Sequence, residues 1–282
     1  MPSGKLPISG ILLLLVAGTA LAQVSTEPSM QKLIPRQHRP RYVAPGTPAP
    51  VYDPIRHVTV SYDTIWAGYA VTGTDFTYVQ GSWRVSAVDC TQTPNSFSSE
   101  WVGIDGWSSD TVEQTGTDAD CIGKNPFYYV WYEFYPVDTI VISDVSITPG
   151  DRFSAWVSYD GDKLYTVSIT NETTGQSFST QVAFAGAGGP VPERNSAEWI
   201  EEMDGPQLAD FGTDRFGEFY THAAGGSNSA TDSGVSGIIS DFGDGVQLAI
   251  STKDGANGGP NTAVPSPLDA DGASFKVTWK SE

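Results

Sequence analysis

The segment Phe127-Tyr-Tyr-Val-Trp-Tyr-Glu-Phe-Tyr135 decides the fold, because its residues alternate in the manner of a β-strand. Successive side chains of a strand point to opposite faces of a sheet. One face of this segment is wholly apolar and predicts a buried surface, formed by Tyr128, Val130, Tyr132 and Phe134. The other face sets an acid among aromatic rings, which favours a binding cleft, formed by Phe127, Tyr129, Trp131, Glu133 and Tyr135. A sheet whose Glu133 simply points to water is the alternative.

Short β-rich runs of the same kind recur on both sides of this strand. They are separated by turn sequences such as Thr148-Pro-Gly-Asp151, and no window shows a long helical period with caps. The runs lie at Thr77–Val85, Ile140–Ile147, Phe153–Tyr159, Tyr165–Ile169, Val246–Ile250 and Phe275–Trp279. About 220 residues of this pattern predict an all-β domain, a β-sandwich of two large antiparallel sheets.

The N-terminal residues differ from this pattern and predict export. Residues 1–22 contain Lys5, an apolar run from Ile8 to Val16 and a small-x-small sequence at Ala20-Leu-Ala22, which together indicate a signal peptide. A membrane-spanning helix is the weaker interpretation, because the run is short. Residues 23–60 are rich in proline and predict a propeptide or linker, followed by a catalytic domain at 61–282. The protein is expected to be secreted and extracellular.

Charge is distributed unevenly between these regions. Residues 23–60 carry a net charge of +3 and Lys5 adds +1. Residues 61–282 therefore carry a net charge of −22, which gives the total of −18. So acidic a domain argues against nucleic acid or anionic membrane as a partner and suits a protein that works in acid. Acidity that serves solubility alone is the alternative. A basic segment ahead of an acidic domain would be suited to covering an acidic cleft, with a plain N-terminal arm as the other interpretation.

The two cysteines are interpreted through the expected export. In an oxidising compartment Cys90 and Cys121 are expected to form a disulfide that closes a loop containing Gln114. Free thiols and a nucleophilic Cys121 are the alternatives.

Several kinds of catalytic chemistry are excluded by the residue inventory. The chain has three histidines, of which His38 and His57 lie in or beside the N-terminal segment and only His222 lies within the domain. There is no His-Glu-x-x-His, no Cys-x-x-Cys and no Gly-x-Ser-x-Gly. Zinc hydrolysis and a serine triad are therefore not expected, nor is any metal or cofactor. Chemistry by carboxyl groups remains.

Five short motifs follow one another in an order typical of one peptidase family. They are Trp66-Ala-Gly68, Trp101-Val-Gly-Ile-Asp-Gly106, Glu113-Gln-Thr-Gly-Thr-Asp118, Trp131-Tyr-Glu-Phe-Tyr-Pro136 and Ser196-Ala-Glu-Trp-Ile200. Taken together they resemble the eqolisins, the glutamic peptidase family, from about Trp66 to Lys280. Each motif is weak alone. Their order, and the 84-residue interval between Gln114 and Glu198, carry the resemblance.

The resemblance implies a concanavalin-like β-sandwich with a concave sheet that binds peptide. It implies Gln114 and Glu198 as the catalytic pair, and substrate-binding positions at Trp101, Asp105, Asp118, Trp131, Glu133 and Tyr135. The chain departs from the family at Tyr129, where an aspartate is usual, so the carboxylate network of its cleft is expected to differ.

The physical chemistry of peptide hydrolysis agrees with such a pair. A glutamate can act as the base for water and then, once protonated, as the acid for the leaving nitrogen. A glutamine amide can donate a hydrogen bond to the developing oxyanion. We therefore expect a monomeric, acid-acting endopeptidase on polypeptide substrates, without a covalent intermediate. The alternatives are a glycoside hydrolase using Glu133 and Glu198, and a carbohydrate-binding lectin.

Overall fold

The structure, a computed structural model of the chain, describes residues 36–41, 47–184, 190–253 and 261–281 together with Met1 and Pro45. Apart from Met1, the expected signal peptide lies outside these residues, as do residues 23–35 of the expected propeptide. No helix among the described residues is long and apolar enough to cross a membrane.

Strands account for most of the regular structure. In chain order they are β1 Val51–Asp53, β2 Val58–Asp63, β3 Trp66–Thr72, β4 Phe76–Arg84, β5 Ser99–Ile104, β6 Val112–Ile122, β7 Asn125–Tyr135, β8 Ile140–Ile142, β9 Arg152–Gly161, β10 Leu164–Asn171, β11 Gln176–Ala183, β12 Ser196–Glu202, β13 Thr213–Phe216, β14 Ser229–Asp232, β15 Val235–Ile238, β16 Val246–Thr252, β17 Asn261–Pro265 and β18 Phe275–Trp279. One short helix, α1 Glu218–Thr221, and a 3₁₀ segment, Ile239–Gly245, complete the described elements.

Two sheets face each other. The first runs β1-β2-β16-β3-β12-β5-β6-β7-β8 and is antiparallel except for the parallel pair β2 and β16. The second runs β11-β10-β9-β4, after which β4 pairs with β14 along its first half and with β13 at its end. Strands β13, β18 and β17 then lead back to β16 and join the two sheets.

The core fills the space between the sheets, where alternation along each strand supplies its residues. Val130 and Phe134 of β7 are buried there, with Tyr128 and Tyr132 packed against the core, as their alternation predicted. Trp199 of β12 crosses to the second sheet, where its Nε1 donates to the carbonyl of Gln80 at 2.7 Å. Burying aromatic side chains of this size is the main stabilising contribution that such a sandwich has.

The predictions of fold class and of strands are largely confirmed. The run at Phe275–Trp279 is β18 with the same bounds, and the runs at Phe153–Tyr159 and Tyr165–Ile169 lie within β9 and β10. The run at Ile140–Ile147 is a strand only as far as Ile142 and continues as bends and loop. The Cys90–Cys121 disulfide is also confirmed, and it links the loop after β4 to the end of β6.

Candidate active site

Four adjacent strands of the first sheet build one face of a groove. In register, Gln114 of β6 pairs with Gly103 of β5 on one side and with Glu133 of β7 on the other, and Glu198 of β12 pairs with Gly103. Alternation therefore brings Gln114, Asp118, Trp131, Glu133, Trp101, Glu198 and Glu202 to the face opposite the core.

Close packing of two indoles in this groove depends on Gly116. A Cβ placed on Gly116 would lie 2.4 Å from the carbonyl oxygen of Glu100 and 2.6 Å from the Cβ of Trp101. The ring of Trp131 would be 2.9 Å away. A side chain at this position would push Trp101 and Trp131 out of the groove. The glycine of the Gln-Thr-Gly motif is therefore needed because no larger residue fits there.

Residues 36–41 lie in the groove. The carbonyl of Arg36 accepts a hydrogen bond from the hydroxyl of Thr139, and the guanidinium of Arg36 stacks on Phe97 at 3.3 Å from its ring centre. At the other end the backbone N–H of Arg41 donates to the carbonyl of Gly106 at 3.0 Å. Nε of Arg41 bonds Asp63 at 2.9 Å. The segment is thus held at both ends, beside a cavity of about 700 Å³.

His38 is the most deeply placed residue of this segment and is fully buried. Its ring lies parallel to the indole of Trp131, with 3.6 Å between the ring centres and 6° between the planes. Nδ1 lies 3.1 Å from Glu133, and Nε2 lies 3.1 Å from Asp118 and 3.3 Å from Asp204. Three carboxyl groups and one aromatic face therefore surround the imidazole.

These contacts set the charge of the ring. Burial by itself lowers the pKa of His38, but the carboxylates of Asp118, Asp204 and Glu133 outweigh it and raise the pKa well above the ordinary value. Burial raises the pKa of Asp118 to about 6, an effect that Asp204 adds to and His38 opposes. His38 is consequently an imidazolium while these acids are ionised.

The peptide bond between His38 and Arg39 is held from both sides. Nε2 of Gln114 donates to the carbonyl oxygen of His38 at 3.0 Å. The backbone N–H of Arg39 donates to Oε1 of Glu202 at 3.1 Å. The other carboxyl oxygen of Glu202 accepts from Nε1 of Trp101 at 2.9 Å. An amide and a carboxyl group thus meet the carbonyl and the nitrogen of a single peptide bond.

Glu202 and Glu198 lie four residues apart on the same face of β12 and have different surroundings. Burial raises the pKa of Glu202 to about 8, opposed by His38. Burial raises the pKa of Glu198 well above the ordinary value, with Asp105 and Glu113 as its acidic neighbours. Among the described residues, no hydrogen bond joins Glu198 to residues 36–41, whereas Glu202 contacts that segment directly.

The expected substrate-binding residues divide into two groups. Trp101, Asp118, Trp131 and Glu133 meet around residues 36–41, and half-buried Tyr135 lines the cavity beside them. Asp105 instead accepts hydrogen bonds from the backbone of Arg194 at 2.8 Å and Asn195 at 3.0 Å, so it fixes the approach to β12. Tyr129, the departure from the family, is buried opposite Asp118 in the β6–β7 register.

Sequence reasoning missed three residues of this groove: His38, Glu202 and Asp204. Alternation along β12 places Glu202 on the same face as Glu198, and the acidic Glu201-Glu202-Met-Asp204 run was a usable signal. His38 was assigned to the N-terminal segment, and its position in the groove follows only from the folded chain. The expectation that no metal is bound stays a prediction, although the possible ligand atoms of His38, Asp118 and Asp204 lie within 4.8 Å of one another.

Comparison with known proteins decides the family. The model of the peptidase A4 family matches residues 64–257, which is more than half of the chain. The chain belongs to the peptidase A4 family. This A4 peptidase is 29% identical to aspergillopepsin-2 of Aspergillus niger over 230 residues, 73% of this chain and 80% of the relative. The eqolisin resemblance is thereby confirmed, and with it the assignment as a glutamic endopeptidase.

Solved structures show the same fold for this A4 peptidase. Scytalido-glutamic peptidase with a transition state analogue inhibitor matches with a TM-score of 0.62 at 23% identity, covering 77% of this chain and 98% of that one. The eqolisin SCP-B in a complex with the tripeptide Ala-Ile-His matches with a TM-score of 0.59 at 22% identity, again covering 77% and 98%. The glycoside-hydrolase and lectin interpretations are set aside on the family match.

Proposed function

We propose that this A4 peptidase is a secreted, acid-acting endopeptidase whose catalytic pair is Gln114 and Glu202. The observation that carries the proposal is the His38–Arg39 peptide bond, which has Gln114 on its carbonyl and Glu202 on its nitrogen. These are the two positions at which hydrolysis needs an oxyanion donor and a proton donor. Polypeptides are the substrates, in keeping with the tripeptide bound by the related SCP-B.

The reaction needs no covalent intermediate. Ionised Glu202 takes a proton from the attacking water, and Nε2 of Gln114 donates to the carbonyl oxygen as it becomes an oxyanion. Protonated Glu202 then returns the proton to the departing nitrogen. One donor positioned for an oxyanion contributes about 3–4 kcal/mol to the barrier reduction. Hydration of the open groove brings the pKa of Glu202 down from the value of about 8 that it has when buried, so it ionises at lower pH.

Glu198 was the glutamate expected from the motifs, and the register places it in one row with Gly103 and Gln114. We favour Glu202 because it contacts the peptide bond itself and because the indole of Trp101 holds its carboxyl group in place. In the proposal Glu198 supports the base of the groove beside Asp105.

The matched variants Glu202→Gln and Glu198→Gln distinguish the two glutamates. We expect Glu202→Gln and Gln114→Ala to lower kcat/KM by about 100-fold or more. Glu198→Gln is expected to lower kcat/KM far less. The measurement is digestion of an unfolded protein between pH 2 and pH 7, with circular dichroism to verify folding. Loss of activity in Glu198→Gln together with an active Glu202→Gln would return the general base to Glu198.

Export, processing and monomeric state belong to the same proposal. Support comes from the apolar run and cleavage sequence in residues 1–22 and from the basic character of residues 23–60. N-terminal sequencing of protein recovered from the culture medium, with its mass in solution, is the test. Protein that keeps residues 1–22, or that stays in the cell, would contradict export.

A further inference from the structure

We infer that the His38–Arg39 bond is a self-cleavage site of this chain, with His38 as the side chain that positions it. The inference rests on the proposed peptidase function. Residues 36–41 lie in the groove with their peptide group against Gln114 and Glu202, as a substrate of the proposed reaction would. Residues 36–41 therefore block the groove and at the same time make the contacts expected of a bound substrate.

The backbone around the bond is held at three points in addition to the catalytic pair. The N–H of His38 donates to Oε2 of Glu133 at 2.9 Å. The carbonyl of Arg36 is fixed by Thr139 and the N–H of Arg41 by Gly106. Holding a bond in one orientation against its catalytic groups converts hydrolysis into an effectively intramolecular reaction.

The side chain on the acyl side of the bond enters a subsite suited to a flat cation. Trp131 provides the stacking face, and Glu133, Asp118 and Asp204 each lie within 3.3 Å of a ring nitrogen of His38. Asp120 and Glu202 add further acidic groups near the ring, whereas Arg36 is the cation nearby on the segment itself. A neutral side chain of similar size would leave these buried carboxylates without a counter-charge, which is costly.

The leaving side of the bond is more open. Arg39 is exposed, and its backbone N–H bonds the carboxyl group that would protonate it. Arg41 next contacts Asp63 and stacks over Trp107 at 4.2 Å. These contacts would keep the new N-terminal end, which begins at Arg39, bound to the domain while the bond is broken.

The proposed step is the addition of one water across a single bond. The carbonyl carbon of His38 gains the water oxygen and becomes a new α-carboxyl group. The C–N bond to Arg39 breaks, and the nitrogen of Arg39 takes a proton from Glu202 and becomes a new α-amino group. No oxidant or further reactant is required.

Intact mass and N-terminal sequencing of the full-length chain test the inference. The chain is incubated at a series of pH values from 3.5 to 8, because the cut needs ionised Glu202 and burial under the segment raises the pKa of Glu202 to about 8. Each pH is run as a dilution series, with an unfolded protein added in parallel as an external substrate. We expect the first cut to produce one fragment that ends at His38 and one that begins at Arg39. The rate constant is expected to be independent of chain concentration, because the bond is cut within its own molecule.

The matched variants His38→Asn and His57→Asn distinguish the effect of losing the subsite contacts of His38 from the effect of losing any histidine. His57 is exposed and lies outside the groove, where it contacts Tyr52. We expect His38→Asn to slow the cut after residue 38 at least tenfold, and to keep its activity on the added protein once the groove is open. His57→Asn is expected to be cut like the wild type.

Three outcomes overturn the inference. The first is a wild-type chain that digests the added protein while its His38–Arg39 bond stays intact or is not cut first. The second is a His38→Asn chain cut there at the wild-type rate. The third is cleavage whose rate constant rises in proportion to concentration, which indicates cutting between molecules. A wild-type chain that cuts neither itself nor the added protein would overturn the proposed function as well.

Discussion

Trp101 is the residue that tunes the proposed general base. Its Nε1 donates to Oε2 of Glu202 at 2.9 Å, and both side chains are buried. A hydrogen bond to the charged form of an acid lowers the pKa of that acid. Trp101 thereby opposes the effect of burial on the pKa of Glu202.

Trp101→Phe removes this donor and keeps an aromatic ring. We expect the acid limb of the pH profile of kcat/KM to move upward by about one to two pH units, since a lost hydrogen bond to a charged group is worth about 1.5–3 kcal/mol. Trp66→Phe is the control, because Trp66 packs edge-on against Trp101 and pairs with Glu202 in the β3–β12 register, but its own Nε1 has no hydrogen-bond partner among the described residues. An unchanged acid limb in Trp101→Phe would show that the indole does not tune Glu202.

At the scale of elements, β6 carries Gln114 and ends at the disulfide. Cys121 near the end of β6 is bonded to Cys90 at a sequence separation of 31, with the Cα atoms 5.3 Å apart. The bridge closes a loop that contains β5 and nearly all of β6. It therefore restrains the strand that carries Gln114, the proposed oxyanion donor.

Replacing both cysteines by serine is expected to lower the free energy of unfolding by about 3–4 kcal/mol, on the basis of the loop length. Urea unfolding at pH 4 measures the loss. The control is the wild type with its disulfide reduced, which should unfold at the same urea concentration as the double variant. Equal midpoints for the oxidised wild type and the double variant would show that the bridge contributes nothing to stability.

At the scale of the whole molecule, buried carboxyl groups make stability depend on pH. Glu100, Glu201 and Asp214 lie between the two sheets, and each is at most 2% exposed. Burial raises the pKa of Glu100 and Glu201 well above the ordinary value and that of Asp214 to about 6. Within the groove, burial raises the pKa of Glu202 to about 8.

An acid with a raised pKa in the folded state holds its proton more tightly there than in the unfolded chain. The stability that this provides is complete below the unfolded pKa of about 4 and is lost as pH rises through the folded pKa. The melting temperature is therefore expected to be highest near pH 4 and to fall steadily toward pH 8. The net charge of −18 adds self-repulsion in the same direction.

Glu201→Gln tests the contribution of the interior acids, because it keeps the shape of the side chain and removes its ionisation. We expect its melting temperature to fall less than that of the wild type between pH 5 and pH 8. Glu218→Gln, at an exposed position in α1, removes the same charge from the surface and should follow the wild type. Parallel curves for all three proteins would mean that the interior acids do not set the pH dependence.

Much of this molecule could be predicted because local rules determine it. Alternation in Phe127–Tyr135 gave the core face and the groove face of β7, and the Gln-Thr-Gly motif gave Gln114 on the groove side of its sheet. The disulfide followed from two cysteines in a chain that is expected to be exported. The faces of β7 needed only side-chain direction within one segment, the disulfide needed only residue chemistry, and Gln114 needed the family resemblance carried by five motifs in order.

The choice of Glu202 over Glu198 for the proposed catalytic pair needed tertiary structure. Glu198 and Glu202 share one face of β12, so alternation treats them alike. Which of them reaches a bound peptide depends on the length and direction of side chains across three strands and on the path of the peptide itself. Here that path brings the nitrogen of Arg39 to Glu202.

The sequence by itself determined an all-β peptidase with an acidic, aromatic groove and an amide donor in it, because strand periodicity and motif order are properties of the chain. Only the tertiary structure decided that His38 enters this groove and that Glu202 and Asp204 surround it. The physical reason is distance along the chain: His38 and Glu133 are 95 residues apart, and no local pattern records a contact that forms only when the sheet has closed around the segment.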